Sequence, residues 1–295
     1  MSETSSRESY FERFRRQMDL MEFETLPLFS RSLFSWNLHT AYTGRRFIYR
    51  PSTESTQDDA RRMLERWRVG SGTIVLAETQ TAGRGRGGRS WVSPPDVNLH
   101  FTLIVFTDVG GMRPLAYVTP LAVAQGIEQV GGERGVALRA ELKWPNDVLI
   151  DGLKVAGVLI EGATGPEGEG AALVGVGINV NLEADEFPEL ENVATSVRQA
   201  LGTDVHRELV LAAFCDRFES LYEDAKSGSR APFLGWRERL VTLGREVVAT
   251  SGRETARGIA VDVEDTGALV IRTAEGSRRV VEAGDVTLSA GDLLP

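Results

Sequence analysis

The 295-residue sequence predicts an α+β protein in which a mixed β-sheet packed with helices is followed by a small all-β barrel. Three observations carry that prediction. Apolar, β-branched runs between residues 73 and 180 are interleaved with helical patterns; a further helical layer occupies 206–240; and from about residue 243 short strands alternate with tight turns. The changes of pattern divide the chain into an N-terminal extension over 1–35, a main domain over 36–237 and a C-terminal domain over 238–295.

The elements follow in order. In the extension, Tyr10, Phe11, Phe14, Met18 and Met21 recur at near-helical spacing, which predicts one amphipathic helix docked on the body of the protein or on a partner chain. The segment is too short for a winged helix-turn-helix, so no specific DNA binding is expected. From Ser55 a Ser/Thr cap region leads to Asp58 and Asp59 in a first helical turn, then to Ala60, Met63, Leu64 and Trp67 on one face, with an end near Gly70. Residues 73–77 are β-branched and apolar and read as a buried strand; 98–106 read as another. A helix over 114–130 is opened by Pro114 near its first turn. Strands are expected over 136–142 and 148–150, with Asp151-Gly152 as a hairpin turn returning through 155–161. A Gly-rich surface link over 162–170 precedes a strand over 171–180, whose Gly175 and Gly177 permit close approach of a ligand or a neighbouring backbone. Helices over 206–225 and 233–240 complete the main domain. Strands near 246–250, 258–263 and 268–272, punctuated by Ser-Gly, Asp-Thr-Gly and Glu-Gly turns, give the barrel.

Composition narrows the function. Lys and Arg number 33 against 42 Asp and Glu, a formal net charge of -9, so most of the surface repels a polyanion and an extended nucleic-acid interface is disfavoured. No apolar run approaches the ~20 residues needed to span a bilayer, and the N-terminus lacks the apolar core of a signal peptide. No membrane association and a cytoplasmic location are expected. The single Cys215 sits on the apolar face of a helix and reads as a packing residue. His39, His100 and His206 are scattered, which leaves any chemistry to lysine, arginine and carboxylates.

The segment Gly83-Arg84-Gly85-Arg86-Gly87-Gly88-Arg89-Ser90-Trp91 stands out, because its glycines make ordering costly while its three guanidinium groups match phosphate and carboxylate oxygens. It reads as a clamp over a small anionic ligand. Two later segments, Lys143-Trp144-Pro145-Asn146-Asp147 and Gly175-Val176-Gly177-Ile178-Asn179-Val180-Asn181, also place polar groups at the ends of apolar runs.

Together with Ser55-Thr56-Gln57, Gln80, Lys154-Val155-Ala156-Gly157 and Gly177-Ile178-Asn179, these segments resemble the ordered motif set of biotin protein ligases, from about Trp36 to about Ser289. The resemblance implies a catalytic domain binding biotin and ATP over 36–237 and an SH3-like C-terminal domain over 238–295, in a form without an N-terminal DNA-binding domain. It also implies the reaction: ATP activates biotin as biotinyl-5′-AMP with release of pyrophosphate, and biotin passes to a lysine of a biotin carboxyl carrier protein or biotinyl domain. ATP and biotin are then substrates and Mg2+ is expected, its ligands not assigned.

The site residues implied are Lys154, Arg86 and Asp147 for catalysis, and Ser55, Thr56, Gln57, Gln80, Arg84, Gly85, Arg86 and Lys154 for biotin. Arg89, Trp91, Lys143, Asn146 and Asn179 are implied for the nucleotide. Gln57 stands where the family more often has Asn. Trp91 serves equally as a cover for a purine or as a core plug, and Ser55 and Thr56 also read as helix caps, a role that can coexist with ligand binding, one through the side chain and one through the backbone. A lipoate or octanoate ligase and a noncatalytic biotin-responsive regulator are the alternatives, and homodimerisation through sheet edges is left open.

Overall fold

A computed structural model describes residues 29–66, 69–251, 254–282 and 284–288; the helix expected within 1–35 and the position of Trp67 lie outside the described residues. The elements are α1 (Arg31–Asn37), β1 (Phe47–Thr53), α2 (Thr56–Arg66), β2 (Thr73–Gln80), β3 (Leu99–Phe106), α3 (Val109–Glu133), β4 (Glu141–Lys143), β5 (Asp147–Ile150), β6 (Leu153–Thr164), β7 (Gly170–Ile178), α4 (Val197–Leu201), α5 (Arg207–Lys226) and α6 (Ala231–Glu238). The C-terminal strands are β8 (Glu246–Ser251), β9 (Glu254–Val263), β10 (Leu269–Arg272), β11 (Arg278–Val281) and β12 (Asp285–Leu288).

The first seven strands form one sheet in the order β1-β2-β3-β7-β6-β5-β4, parallel between β1 and β2 and antiparallel elsewhere. Alternation along β3 and β7 separates its faces. Leu99, Phe101, Leu103, Val174, Val176 and Ile178 enter the large core with α3 and α5, whereas Ile104, Leu173 and Val75 pack with Ala60, Met63 and Leu64 of α2. Among the described residues one short helix, α2, packs on the second face, and the sheet beyond its N-terminal end carries the site.

Several expectations needed adjustment. Strand β1 escapes a sequence reading because Pro51 removes a ladder donor; such a residue is tolerated on the edge, where β1 lies. Helix α3 begins at Val109 rather than near Pro114, because the Asp108 side chain caps it by accepting from the Gly111 N–H at 2.8 Å. Residues 136–140 do not form the expected strand. Local backbone bonds and side chains take their polar groups instead: the Val136 N–H donates to the Gly131 carbonyl at 3.0 Å, the Leu138 N–H donates to the Val136 carbonyl at 3.1 Å, the Ala140 N–H donates to Glu128 at 3.0 Å, and Arg239 donates to the Ala140 carbonyl at 3.0 Å. The Gly-rich link is shorter than expected, since β6 runs to Thr164 and β7 starts at Gly170. Helix α1 crosses the boundary drawn at residue 35, with Phe34 and Phe29 packed against Phe47 in the main core.

Glu78, at the end of β2, points into that core. Arg207 donates to both of its carboxylate oxygens, at 2.5 and 3.3 Å, and the pair is 3% exposed on each side. The Phe29 N–H and the Tyr49 hydroxyl complete the shell at 3.1 and 3.0 Å, and burial beside this carboxylate pushes the Tyr49 hydroxyl pKa up to about 12. The ion pair therefore ties the N-terminal segment, β1, β2 and α5 together.

The second sheet, β11-β10-β9-β8-β12, is wholly antiparallel, as its turn cadence predicts. It is joined to the first through Trp144, whose Nε1 donates to the Gly267 carbonyl at 2.8 Å and whose backbone N–H donates to the Thr242 hydroxyl at 2.9 Å.

The buried ion pair and the buried imidazole each make a measurable contribution to stability. Arg207→Leu leaves the Glu78 carboxylate buried and unpaired, at a cost of about 3–5 kcal/mol in urea unfolding, and the Glu78→Leu/Arg207→Leu double variant should recover much of it. A loss under about 1 kcal/mol would contradict a dry ion pair. His100 is fully buried, and desolvation pushes its pKa from 6.5 down to about 4. The unfolded chain thus binds a proton below pH 6.5 that the native state refuses until about pH 4. The neutral imidazole's contribution is complete above that window and is lost as pH falls through it, up to about 3 kcal/mol. His100→Gln should flatten the pH dependence of unfolding by up to one proton there; an unchanged slope would contradict a buried neutral ring.

Candidate active site

The site grows from one row of residues across the sheet. Asp147 on β5 pairs with Gly157 on β6, Gly157 with Gly177 on β7, Gly177 with His100 on β3, and His100 with Ala77 on β2. The two adjacent glycines leave a trough in the middle of the row, and the indole of Trp91 fills it. A Cβ on Gly177 would come within 2.4 Å of the Trp91 ring, and one on Gly157 within 3.0 Å. Trp91 forms part of the cavity wall: its ring is partly buried, and its Nε1 is buried without a partner.

Lys154 reaches the same trough through an irregularity in β6. Residues 154 and 157 are three apart and would face opposite sides of a regular strand. The register with β5 shifts between Val148 and Leu149, so that Val148 opposes Ala156 while Leu149 opposes Lys154, and this bulge turns Lys154 to the glycine side. Its Nζ lies 2.6 Å from Asp147 Oδ1 and 5.3 Å from the Trp91 ring centroid. The turn before it, Asp151-Gly152, has both residues at positive φ (51° and 77°), as the hairpin signal predicts. The backbone of Lys154 is fixed on both sides: its N–H donates to the Val193 carbonyl at 3.0 Å, and its carbonyl accepts from Thr195 at 2.9 Å.

Helix α2 supplies the far wall. The Thr56 N–H donates to Gln80 Oε1 at 2.9 Å, and its hydroxyl lies 2.9 Å from the Thr102 hydroxyl, so Thr56 is tied to the site rather than serving as a side-chain cap. Gln57 Nε2 donates to the Leu159 carbonyl at 2.8 Å, while its Oε1 is buried without a partner. Ser55 is buried, and its carbonyl accepts from the Asp59 N–H within the first helical turn.

The Gly/Arg segment closes the top as a small hairpin flap. The Trp91 N–H donates to the Gly83 carbonyl at 2.9 Å, the Gly85 N–H donates to the Arg89 carbonyl at 2.7 Å, and Arg84 and Ser90 form a bridge between the arms. The cavity beneath it, partly open to solvent, is about 130 Å³. Among the residues implied by the sequence, Ser55, Thr56, Gln57, Gln80, Arg84, Gly85, Arg86, Arg89, Trp91, Asn146, Asp147 and Lys154 all line it.

Two do not. Lys143 sits on β4 opposite Asp147, outside the lining. Asn179 is buried behind Lys154, where its Nδ2 donates to the Thr195 carbonyl at 3.1 Å. Asn146 lines the cavity while its Nδ2 donates to the Val158 carbonyl at 2.7 Å. Sequence reasoning missed Thr102, whose only signal is its place two residues along the strand from His100, and Asp58, which reads as a helix-start acid but grips Arg84.

Asp147 is the one carboxylate among the described residues lining the cavity, and no cluster of three or more His, Cys, Asp or Glu able to hold a metal occurs among the described residues. Such a donor set suits Mg2+ carried in mainly by substrate phosphates, with one carboxylate and waters completing its shell. No helix among the described residues is long and apolar enough to cross a membrane.

The trough predicts a specific response. In Gly177→Ala the new methyl displaces the indole, so the Trp91 share of the fluorescence, taken as the difference from a Trp91→Phe variant, should shift red and become more accessible to acrylamide. An unchanged Trp91 signal would contradict this packing.

Comparison with known proteins agrees with the geometry. Residues 49–181 match the Biotin/lipoate A/B protein ligase family, and 242–289 match the Biotin protein ligase C terminal domain, in accord with an SH3-like second sheet. The chain is 35% identical over 241 residues to a biotin--[acetyl-CoA-carboxylase] ligase of Paracoccus denitrificans, covering 79% of this chain and 97% of that protein. It is 33% identical over 258 residues to the bifunctional ligase/repressor BirA of Bacillus spizizenii, covering 86% and 78%. The biotin protein ligase of Aquifex aeolicus, solved with biotin and ATP, superposes with a TM-score of 0.68 at 31% identity, covering 83% of this chain and 98% of that one. The chain belongs to the biotin protein ligase family.

Proposed function

We propose that this protein is an ATP-dependent biotin protein ligase that forms biotinyl-5′-AMP and then biotinylates a lysine of a carrier protein or domain. The observation that carries the reading is the convergence of Lys154, Arg86 and the Thr56/Gln80 pair, from three separate parts of the sequence, on one cavity.

In the first step a biotin carboxylate oxygen attacks the α-phosphorus of ATP, and the bond to the bridging oxygen breaks to release pyrophosphate. Two anions must approach, so fixed positive charge at the reacting oxygens lowers the barrier. Lys154 is assigned to the carboxylate and ester oxygens, and Arg86 and Arg89 to the phosphate side. Mg2+, held by the ATP phosphates with Asp147 in reach, would neutralise the leaving pyrophosphate.

In the second step the acceptor amine attacks the acyl carbon, AMP leaves with the acyl C–O bond electrons, and the amine loses one proton. In this step Asp147 is assigned two further tasks, holding the Lys154 ammonium and facing that amine as its base. Gln57 Oε1, buried without a partner, is suited to accept a ureido N–H, with Ser55, Thr56 and Gln80 completing the polar end of the biotin pocket. Gly85 and Arg84 add backbone at the flap.

Trp91 and Asn146 border the nucleotide side in this assignment, while Lys143 and Asn179 act from behind the lining. Asn179 supports the Lys154 backbone, and Lys143 adds positive potential. The buried thiol of Cys215, its pKa raised by desolvation, accords with a cytoplasmic protein that has no internal disulfide to form.

Purified protein with biotin, Mg-ATP and a candidate carrier domain should add one biotinyl group to the carrier, read as a mass gain; no gain with any biotinyl domain would contradict the reading. Lys154→Ala should cut biotin-dependent ATP–pyrophosphate exchange by roughly 10²- to 10³-fold with the circular dichroism unchanged. Normal exchange in that variant would remove Lys154 from the chemistry.

A further inference from the structure

The flap has two anchors on the body of the protein. One is Trp91 in the glycine trough. The other is Arg84, which donates two near-parallel bonds to Asp58, from NH1 to Oδ2 and from NH2 to Oδ1, both at 2.7 Å. This fork-on-fork geometry fixes the plane of the guanidinium as well as its position. It also commits the Arg84 side chain to helix α2, so that Arg84 meets the cavity from within an ion pair rather than as a clamp reaching for ligand oxygens.

The first turn of α2 is arranged to leave Asp58 for this purpose. Arg62, at helical spacing from both acids of the turn, bonds Asp59 at 2.6 Å, and Arg61 bonds Glu161 at 2.8 Å. Asp58 instead reaches across to the flap, and the Arg84 guanidinium holds its carboxyl below the usual carboxylate range. Asp58 follows Thr56 and Gln57 directly, the two residues of that turn that line the cavity and bond to Gln80 and Leu159. The same turn therefore carries both the polar end of the pocket and the catch for its cover.

We propose that Asp58 is a positioning residue for the ligation reaction: through its paired bonds to Arg84 it latches the flap over the cavity and so retains the activated intermediate between the two steps. The retention part rests on the biotinyl-adenylate reading above; the latch itself does not. Both side chains keep solvent contact, at 41% and 32% exposure, so the catch is weak enough to open for substrate entry and carrier access.

Two measurements on the full chain separate these parts. The first is hydrogen–deuterium exchange of the flap amides, chiefly Gly85 and Trp91, without ligand, in the parent, Asp58→Asn, Arg84→Ala, their double variant and the conservative Asp58→Glu. Both single variants should exchange faster at the flap by a similar factor, roughly threefold to tenfold, with little change in the central strands. The double variant should be no faster than either, and Asp58→Glu should restore part of the protection. Parent-like flap exchange in Asp58→Asn, or additive effects in the double variant, overturns the latch.

The second is the escape of preformed biotinyl-adenylate into a trap, which should accelerate in the same rank order. Unchanged escape alongside faster flap exchange overturns the retention part. A parent protein that forms no adenylate under any condition counts against the proposed function and against retention, while the exchange data still decide the latch.

Discussion

A sheet filled with β-branched side chains has no room for a ligand, and the arrangement of this protein follows from how one strip of it is cleared. Gly157 and Gly177 lie side by side on neighbouring strands, so a flat aromatic ring can rest on the backbone itself. Any side chain at Gly177 would evict Trp91, and with it one anchor of the flap. The same clearance lets the aliphatic end of Lys154 pass over Gly157, whose added Cβ would lie 3.2 Å from Nζ. Backbone exposure, ring and cation are thus three consequences of two missing methyl groups.

Around that strip the protein converts weak elements into a defined geometry. A lysine on a free turn is a solvated charge, but here a bulge sets its face, two backbone bonds set its depth and Asp147 sets its head group. The flap is similar. Its glycines give it no intrinsic order, and its shape comes from cross-arm hydrogen bonds and contacts at both ends. The rigid parts are kept elsewhere, in the Glu78–Arg207 shell on the opposite face and in the Trp144 contact with the second sheet.

Much of this was legible in the sequence, and the exceptions have physical causes. The Asp151-Gly152 turn, β7 and helix α5 were readable because turn chemistry and hydrophobic period are local. Twelve of the implied site residues meet at the cavity because each sits in a motif at the end or turn of an apolar run. Strand β1 is hidden by Pro51, and residues 136–140 read as a strand because their apolar pattern does not reveal that the helix end takes the Val136 N–H and that Glu128 and Arg239 take the backbone groups of Ala140. The β6 bulge, the Asp58–Arg84 pair and the recessed place of Asn179 are tertiary facts. Spacing shows that an acid lies in a first helical turn, but not which arginine of a distant loop will find it.

A crystal structure with a non-hydrolysable biotinyl-adenylate analogue tests most directly which face of the sheet meets the activated ligand. The bicyclic ring should lie against Thr56, Gln57 and Gln80, the acyl phosphate oxygens should fall between Lys154 and Arg86, and the flap should cover them. An analogue bound away from the Gly157–Gly177 trough, with Lys154 and Arg86 not touching it, would contradict the account.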